Sequence, residues 1–159
     1  METQYSTRDR FILAANSILT KAVYMLYPLL LIYLAATHLT DTEPGFVPAL
    51  VVPGVSFVLV SIFRALYNAP RPYEMPGAAQ PLIKKDSPGK SFPSRHIFSI
   101  FIIAVTFFQV WPAAGAAIGA AGALLAYCRV RGGVHFPKDV IAGAAAGIGC
   151  GIIGYYFIF

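Results

Sequence analysis

Five long apolar runs, separated by short polar stretches, organise this chain: residues 22–37, Phe46–Tyr67, 94–111, 112–128 and 139–159. A helix that crosses a bilayer needs roughly 20 mostly apolar residues. The runs are continuous and show no period-two alternation, so they predict helices and not the strands of a barrel. Before the first run, residues 11–21 mix Asn16, Ser17, Thr20 and Lys21 with Phe11, Ile12, Leu13, Ile18 and Leu19. That mixture predicts an amphipathic, partly interfacial helix that continues into the first span. The expected architecture is all-α: a polytopic membrane helix bundle of about five transmembrane helices plus an N-terminal amphipathic helix, forming one domain over residues 1–159.

Composition supports a second solvent. Hydrophobic residues make up 57% and charged residues 12% of the chain, against about 25% charged in soluble domains. The 12 Lys+Arg outnumber the 7 Asp+Glu. On a membrane protein that excess fits anionic lipid, anionic substrate or a topological bias, and it does not point to nucleic acid. Cys128 and Cys150 lie in or beside apolar runs without metal-ligand spacing and read as buried thiols. The polar loop over residues 68–93 carries prolines at 70, 72, 76, 81, 88 and 93, and loops of that length are often functional lids. Gly143, Ala146, Gly147 and Gly151 give the last run small-residue faces for close helix packing.

The rare charges are not scattered. Arg64 and Arg71 flank the end of the second run, Arg95 and His96 open the third, Arg129 and Arg131 close the fourth, and His135 and Asp139 open the fifth. Consecutive spans alternate in direction, so all of these residues fall on one face of the membrane. Single arginines at span ends commonly snorkel, but a set of this density is functional in character. His38, on the opposite face without partners, is an ordinary loop residue by the same reasoning. Converging guanidiniums suit phosphate oxygens. Ser94 stands at the N-cap of the third span, whose free N–H groups would face the same anion. The spacing His135-x3-Asp139 lets a carboxylate fix one imidazole tautomer and leave the other nitrogen to attack. No cluster has metal-ligand spacing, so charge neutralisation falls to the arginines, and neither metal nor cofactor is expected.

Three stretches now stand out: Arg64-x6-Arg71-Pro72, Pro93-Ser94-Arg95-His96, and Cys128-Arg129-x5-His135-x3-Asp139. In order and spacing they resemble the three motifs of the type 2 phosphatidic acid phosphatase (PAP2) superfamily: Lys-x6-Arg-Pro, Pro-Ser-Gly-His and Ser-Arg-x5-His-x3-Asp. The resemblance implies a small bacterial integral-membrane lipid phosphatase that works without metal. It implies that His135 attacks phosphorus, that Asp139 orients His135, and that His96 protonates the leaving oxygen. Arg64, Arg71, Arg129 and Ser94 would bind the phosphate. Three positions depart from the pattern. Arg64 replaces Lys, Cys128 replaces Ser, and Arg95 replaces a Gly whose backbone N–H approaches phosphate; Arg95 and Cys128 are therefore accessory candidates.

The implied partners are membrane lipids and a lipid phosphate: undecaprenyl diphosphate first, then phosphatidylglycerophosphate, phosphatidic acid or lipid A phosphate. The implied location is a bacterial plasma membrane with the site at its outer face. The distribution of Lys and Arg argues for the cytoplasmic face, because every one of them falls on the site's side. A transporter or binding protein that holds an anion without chemistry is the alternative. A vanadium haloperoxidase relative is a third reading, disfavoured because those proteins are large and soluble.

Overall fold

The computed structural model describes residues 5–37, 45–84 and 88–159. The loop of His38, Asp41 and Glu43 and the residue Lys85 lie outside the described residues. Among the described residues every regular element is helical. Helix α1 (Thr7–Thr37) is one uninterrupted element with Pro28 inside it. The interfacial stretch and the first span are thus a single helix of 31 residues, about 46 Å long against a hydrocarbon core of about 30 Å. Helix α2 (Phe46–Tyr67) ends where Asn68 adopts a left-handed conformation (φ 42°), its N–H closing on the Arg64 carbonyl, as asparagine commonly does past a helix end.

Helices α3 (Arg95–Val110), α4 (Pro112–Arg131) and α5 (Pro137–Ile153) complete the bundle, and a π-helical turn (Gly154–Ile158) extends α5. Among the described residues four helices are long and apolar enough to cross a membrane. The exception is α3, with 16 residues, about 24 Å. It packs against all four of the others. Ile97, Phe98, Ile100, Ile102, Ile103 and Phe107 are buried around its whole circumference. Enclosed by protein, α3 need not span the hydrocarbon on its own.

Glycines set the approach of α5 to α3. A Cβ at Gly143 would lie 2.6 Å from the Ser94 carbonyl oxygen, and one at Gly147 would lie 2.5 Å from that of Phe98. These contacts are with backbone, which cannot rotate aside, so only glycine permits this spacing. The result is a direct backbone link at the site's end of the bundle: the Ser94 N–H donates to the Asp139 carbonyl at 2.8 Å.

The fourth helix runs one turn beyond the expected 112–128. Arg129 and Arg131 therefore sit in its last turn and not in the connecting loop, where cations suit the helix dipole. Gly132 and Gly133, the latter at φ 75°, then release the chain.

A basic pocket with a histidine–aspartate pair

Pro137 starts α5 in the position where a missing N–H does no harm. Asp139 follows as the third helical residue, and its Oδ2 accepts the Phe136 N–H at 3.0 Å. This local cap fixes the carboxylate. His135, four residues earlier, places Nδ1 3.5 Å from the same Oδ2. Both side chains are almost wholly buried, at 2% and 1% exposure.

A third group joins them that no sequence pattern singled out. The Ser91 hydroxyl donates to Asp139 Oδ2 at 2.5 Å and lies 3.4 Å from His135 Nδ1. The imidazole edge carrying Nδ1 thus faces a carboxylate and a hydroxyl, which leaves Nε2 for chemistry. Burial pushes the His135 pKa down to about 4. The hydrogen bond with Asp139 opposes that shift and the positive charge of Arg71 adds to it. His135 is accordingly neutral at physiological pH.

His135 lines a pocket of about 220 Å³ together with Ser61, Arg64, Arg71, Lys90, Arg95 and His96. Five of the residues expected in the site are thereby brought to one cavity from α2, α3 and the loops. The His96 ring lies 6.2 Å from the ring of Tyr24 on α1. Arg129, Ser94 and Cys128 are buried and are not among the lining residues. A larger groove of about 480 Å³ between α3, α4 and α5 is lined by apolar residues such as Phe101, Phe108 and Ile148 and contains no ionisable side chain except Tyr156. Arg64, Arg71, Arg95 and both histidines expected in the site gather in the smaller pocket.

Two arginines expected to serve only an anion also hold the pocket's wall. Arg64 donates to the carbonyls of Lys90, Ser91 and Pro93. Arg71 donates through Nε to Gly89 O at 2.9 Å and through Nη1 to Val134 O at 3.0 Å. Each guanidinium has five N–H donors, so both keep some to spare. Glu74, in a single 3-10 turn (Pro72–Glu74), completes the tie by accepting the Arg71 N–H at 2.6 Å and the Gly89 N–H at 2.7 Å. The described part of the 68–93 loop is therefore a strap bolted across the site. Arg64 and Arg71 were visible in the sequence as site candidates; Glu74 and the carbonyl partners were not.

Ser94 departs from its expected role. It occupies the N-cap of α3, but its hydroxyl makes no capping bond and is buried without a partner. Its backbone is instead committed to Asp139 and to the start of α3. Arg129 Nη2 reaches Thr20 Oγ1 at 3.4 Å, while its Nε is buried without a partner. Arg95 is exposed and lays its guanidinium 5.4 Å from the centre of the Phe57 ring.

Fold and site together define a multi-pass membrane protein with an arginine-rich, histidine-bearing pocket at one end of its helix bundle. The family profile of the PAP2 superfamily matches residues 45–159. This chain belongs to that superfamily and is a membrane phosphatase. Among solved structures it is similar to LpxE of Aquifex aeolicus, with 28% identity, a TM-score of 0.74, and coverage of 98% of this chain and 89% of that one. It also shares its fold with a transmembrane PAP2 type phosphatidylglycerolphosphate phosphatase of Bacillus subtilis, with 21% identity, a TM-score of 0.70, and coverage of 98% and 79%. No curated protein sequence gives a significant match.

Proposed function

We propose that this protein hydrolyses a phosphate monoester or diphosphate on a membrane lipid through a phosphohistidine at His135. The observation that carries the reading is the Ser91–Asp139–His135 array opening onto a pocket walled by Arg64 and Arg71. His135 Nε2 attacks phosphorus and the bond to the leaving oxygen breaks. The electron pair goes to that oxygen, and His96 supplies its proton. Water then attacks the phosphohistidine, giving its proton to His96. Inorganic phosphate leaves and His135 is regenerated.

Arg64, Arg71 and Arg129 hold the phosphate oxygens, and Ser94 adds a hydrogen bond. The partnerless Ser94 Oγ and Arg129 Nε support this part of the reading. A buried donor left unsatisfied costs about 1–3 kcal/mol, and a bound anion would remove that penalty. Arginines aimed at developing negative charge supply the stabilisation that a metal provides elsewhere. A carrier that only binds anions gains nothing from a buried neutral imidazole oriented by a carboxylate, which is why hydrolysis is preferred to transport.

The test is phosphate release by detergent-purified protein, in EDTA, from undecaprenyl diphosphate, phosphatidylglycerophosphate, phosphatidic acid and lipid A phosphate. Release from at least one of them is expected. Silence on all four, or a strict need for added magnesium, would sink the proposal.

A further inference from the structure

Arg95 differs from the other arginines of the site. Arg64, Arg71 and Arg129 are buried, whereas Arg95 is exposed. Among the described residues it makes neither a hydrogen bond nor an ion pair; its guanidinium rests on the Phe57 ring. Phe57, Ser61 and Arg64 follow one another at i, i+4 and i+7, so they share one face of α2. Phe57 lies about 10 Å along the helix from Arg64, toward the middle of the span. The Arg95 side chain thus extends from the pocket down the cleft between α2 and α3. A positive charge on that lipid-accessible surface is costly unless an anion meets it there. Lys90, also exposed, lines the same pocket.

We propose that Arg95, assisted by Lys90, forms a second anion subsite where the pocket opens between α2 and α3, and that it receives the lipid-linked phosphate of a diphosphate substrate. The inference rests on the hydrolytic reading above and narrows its substrate class. Arg64 and Arg71, both lining the pocket, already match the two negative charges of one phosphoryl group. Two further cations at the pocket's opening match a second one. His135 Nε2 attacks the terminal phosphorus, and the bond to the bridging oxygen breaks. A lipid monophosphate departs with the electron pair, takes its proton from His96, and leaves its remaining charge against Arg95. A monoester has no anion at this point, because its leaving oxygen is bonded to carbon. Arg95 therefore discriminates between the two classes, while the groups around His135 serve both.

The experiment compares kcat/KM for a polyprenyl diphosphate and for the monophosphate of the same chain length. The full chain is used in neutral-detergent micelles, with Arg95→Gln, Arg95→Lys and Lys90→Ala. A charge-assisted hydrogen bond lost in the transition state corresponds to roughly a ten- to hundredfold rate effect. The diphosphate-to-monophosphate ratio should fall at least tenfold in Arg95→Gln, severalfold in Lys90→Ala, and less than threefold in Arg95→Lys. An unchanged ratio, or an equal loss on both substrates, would overturn the proposal and reduce Arg95 to an anchor for bulk lipid headgroups. If the Arg95 variants do not fold, Lys90→Ala decides by the same ratio. Failure of the unaltered protein on both substrates would count against the hydrolytic reading itself, which separates the two failures.

Discussion

Replacing Ser91 by Ala removes one oxygen from the most enclosed part of the site. Ser91 is fully buried, and its hydroxyl donates to Asp139 Oδ2 at 2.5 Å. Asp139 Oδ1 has no partner, so after the change the carboxylate keeps only the Phe136 N–H and the His135 edge. A hydrogen bond to a charged group contributes about 1.5–3 kcal/mol, and each 1.36 kcal/mol is tenfold in rate. If that bond acts by holding the His135–Asp139 pair in its attacking geometry, kcat should fall roughly ten- to hundredfold. KM should move less than threefold, because Ser91 does not line the basic pocket. Steady-state kinetics on the preferred lipid phosphate, with a thermal melt in the same detergent, separates the two roles. A lowered melting temperature with kcat within twofold of the starting protein would refute the positioning argument.

Three other outcomes follow from the same structure. With the His135 pKa near 4, the acid limb of kcat/KM should fall as pH approaches 4, where protonation removes the nucleophile; an acid limb centred near 6.5 would mean an unperturbed histidine. Since that folded value lies below the unfolded one, stability should also decline as pH falls from 6.5 through 4, because the unfolded chain takes up the proton first. Gly147→Ala should cost about 1–3 kcal/mol by overpacking against the Phe98 and Ile102 backbone, while Gly149→Ala, which meets nothing within 4 Å, should be neutral or stabilising; equal melting temperatures would dismiss the glycine contact. For orientation, a reporter fused after Phe159 should register in the cytoplasm if the site faces outward, and a signal from an outside-only reporter would reverse the assignment in favour of the basic loops.

The bundle was largely legible because its information is local. Uninterrupted apolar runs define helices, and glycines four residues apart define a face that another helix can approach closely. The His135–Asp139 pair was legible for the same reason, since four residues is one helical turn. Ser91 was not, because its partners are 44 and 48 residues away and a single serine in a loop has no periodic signature. Arg64 and Arg71 were singled out as phosphate-binding candidates, but their bonds to loop carbonyls were not foreseen. A loop crossing a membrane protein's pocket must satisfy its own carbonyls, and these two guanidiniums do so. The missing cap at Ser94 has a similar cause: capping rules describe an isolated helix end, and here the backbone is docked on α5.

Phosphate release by His135→Ala beside the unaltered protein, on the lipid phosphate that protein prefers, tests the account most directly. Purified, folded His135→Ala should retain less than a few per cent of the turnover, since His135 is the imidazole that Asp139 orients. Retention of substantially more would contradict a phosphohistidine route, whatever the identity of the lipid.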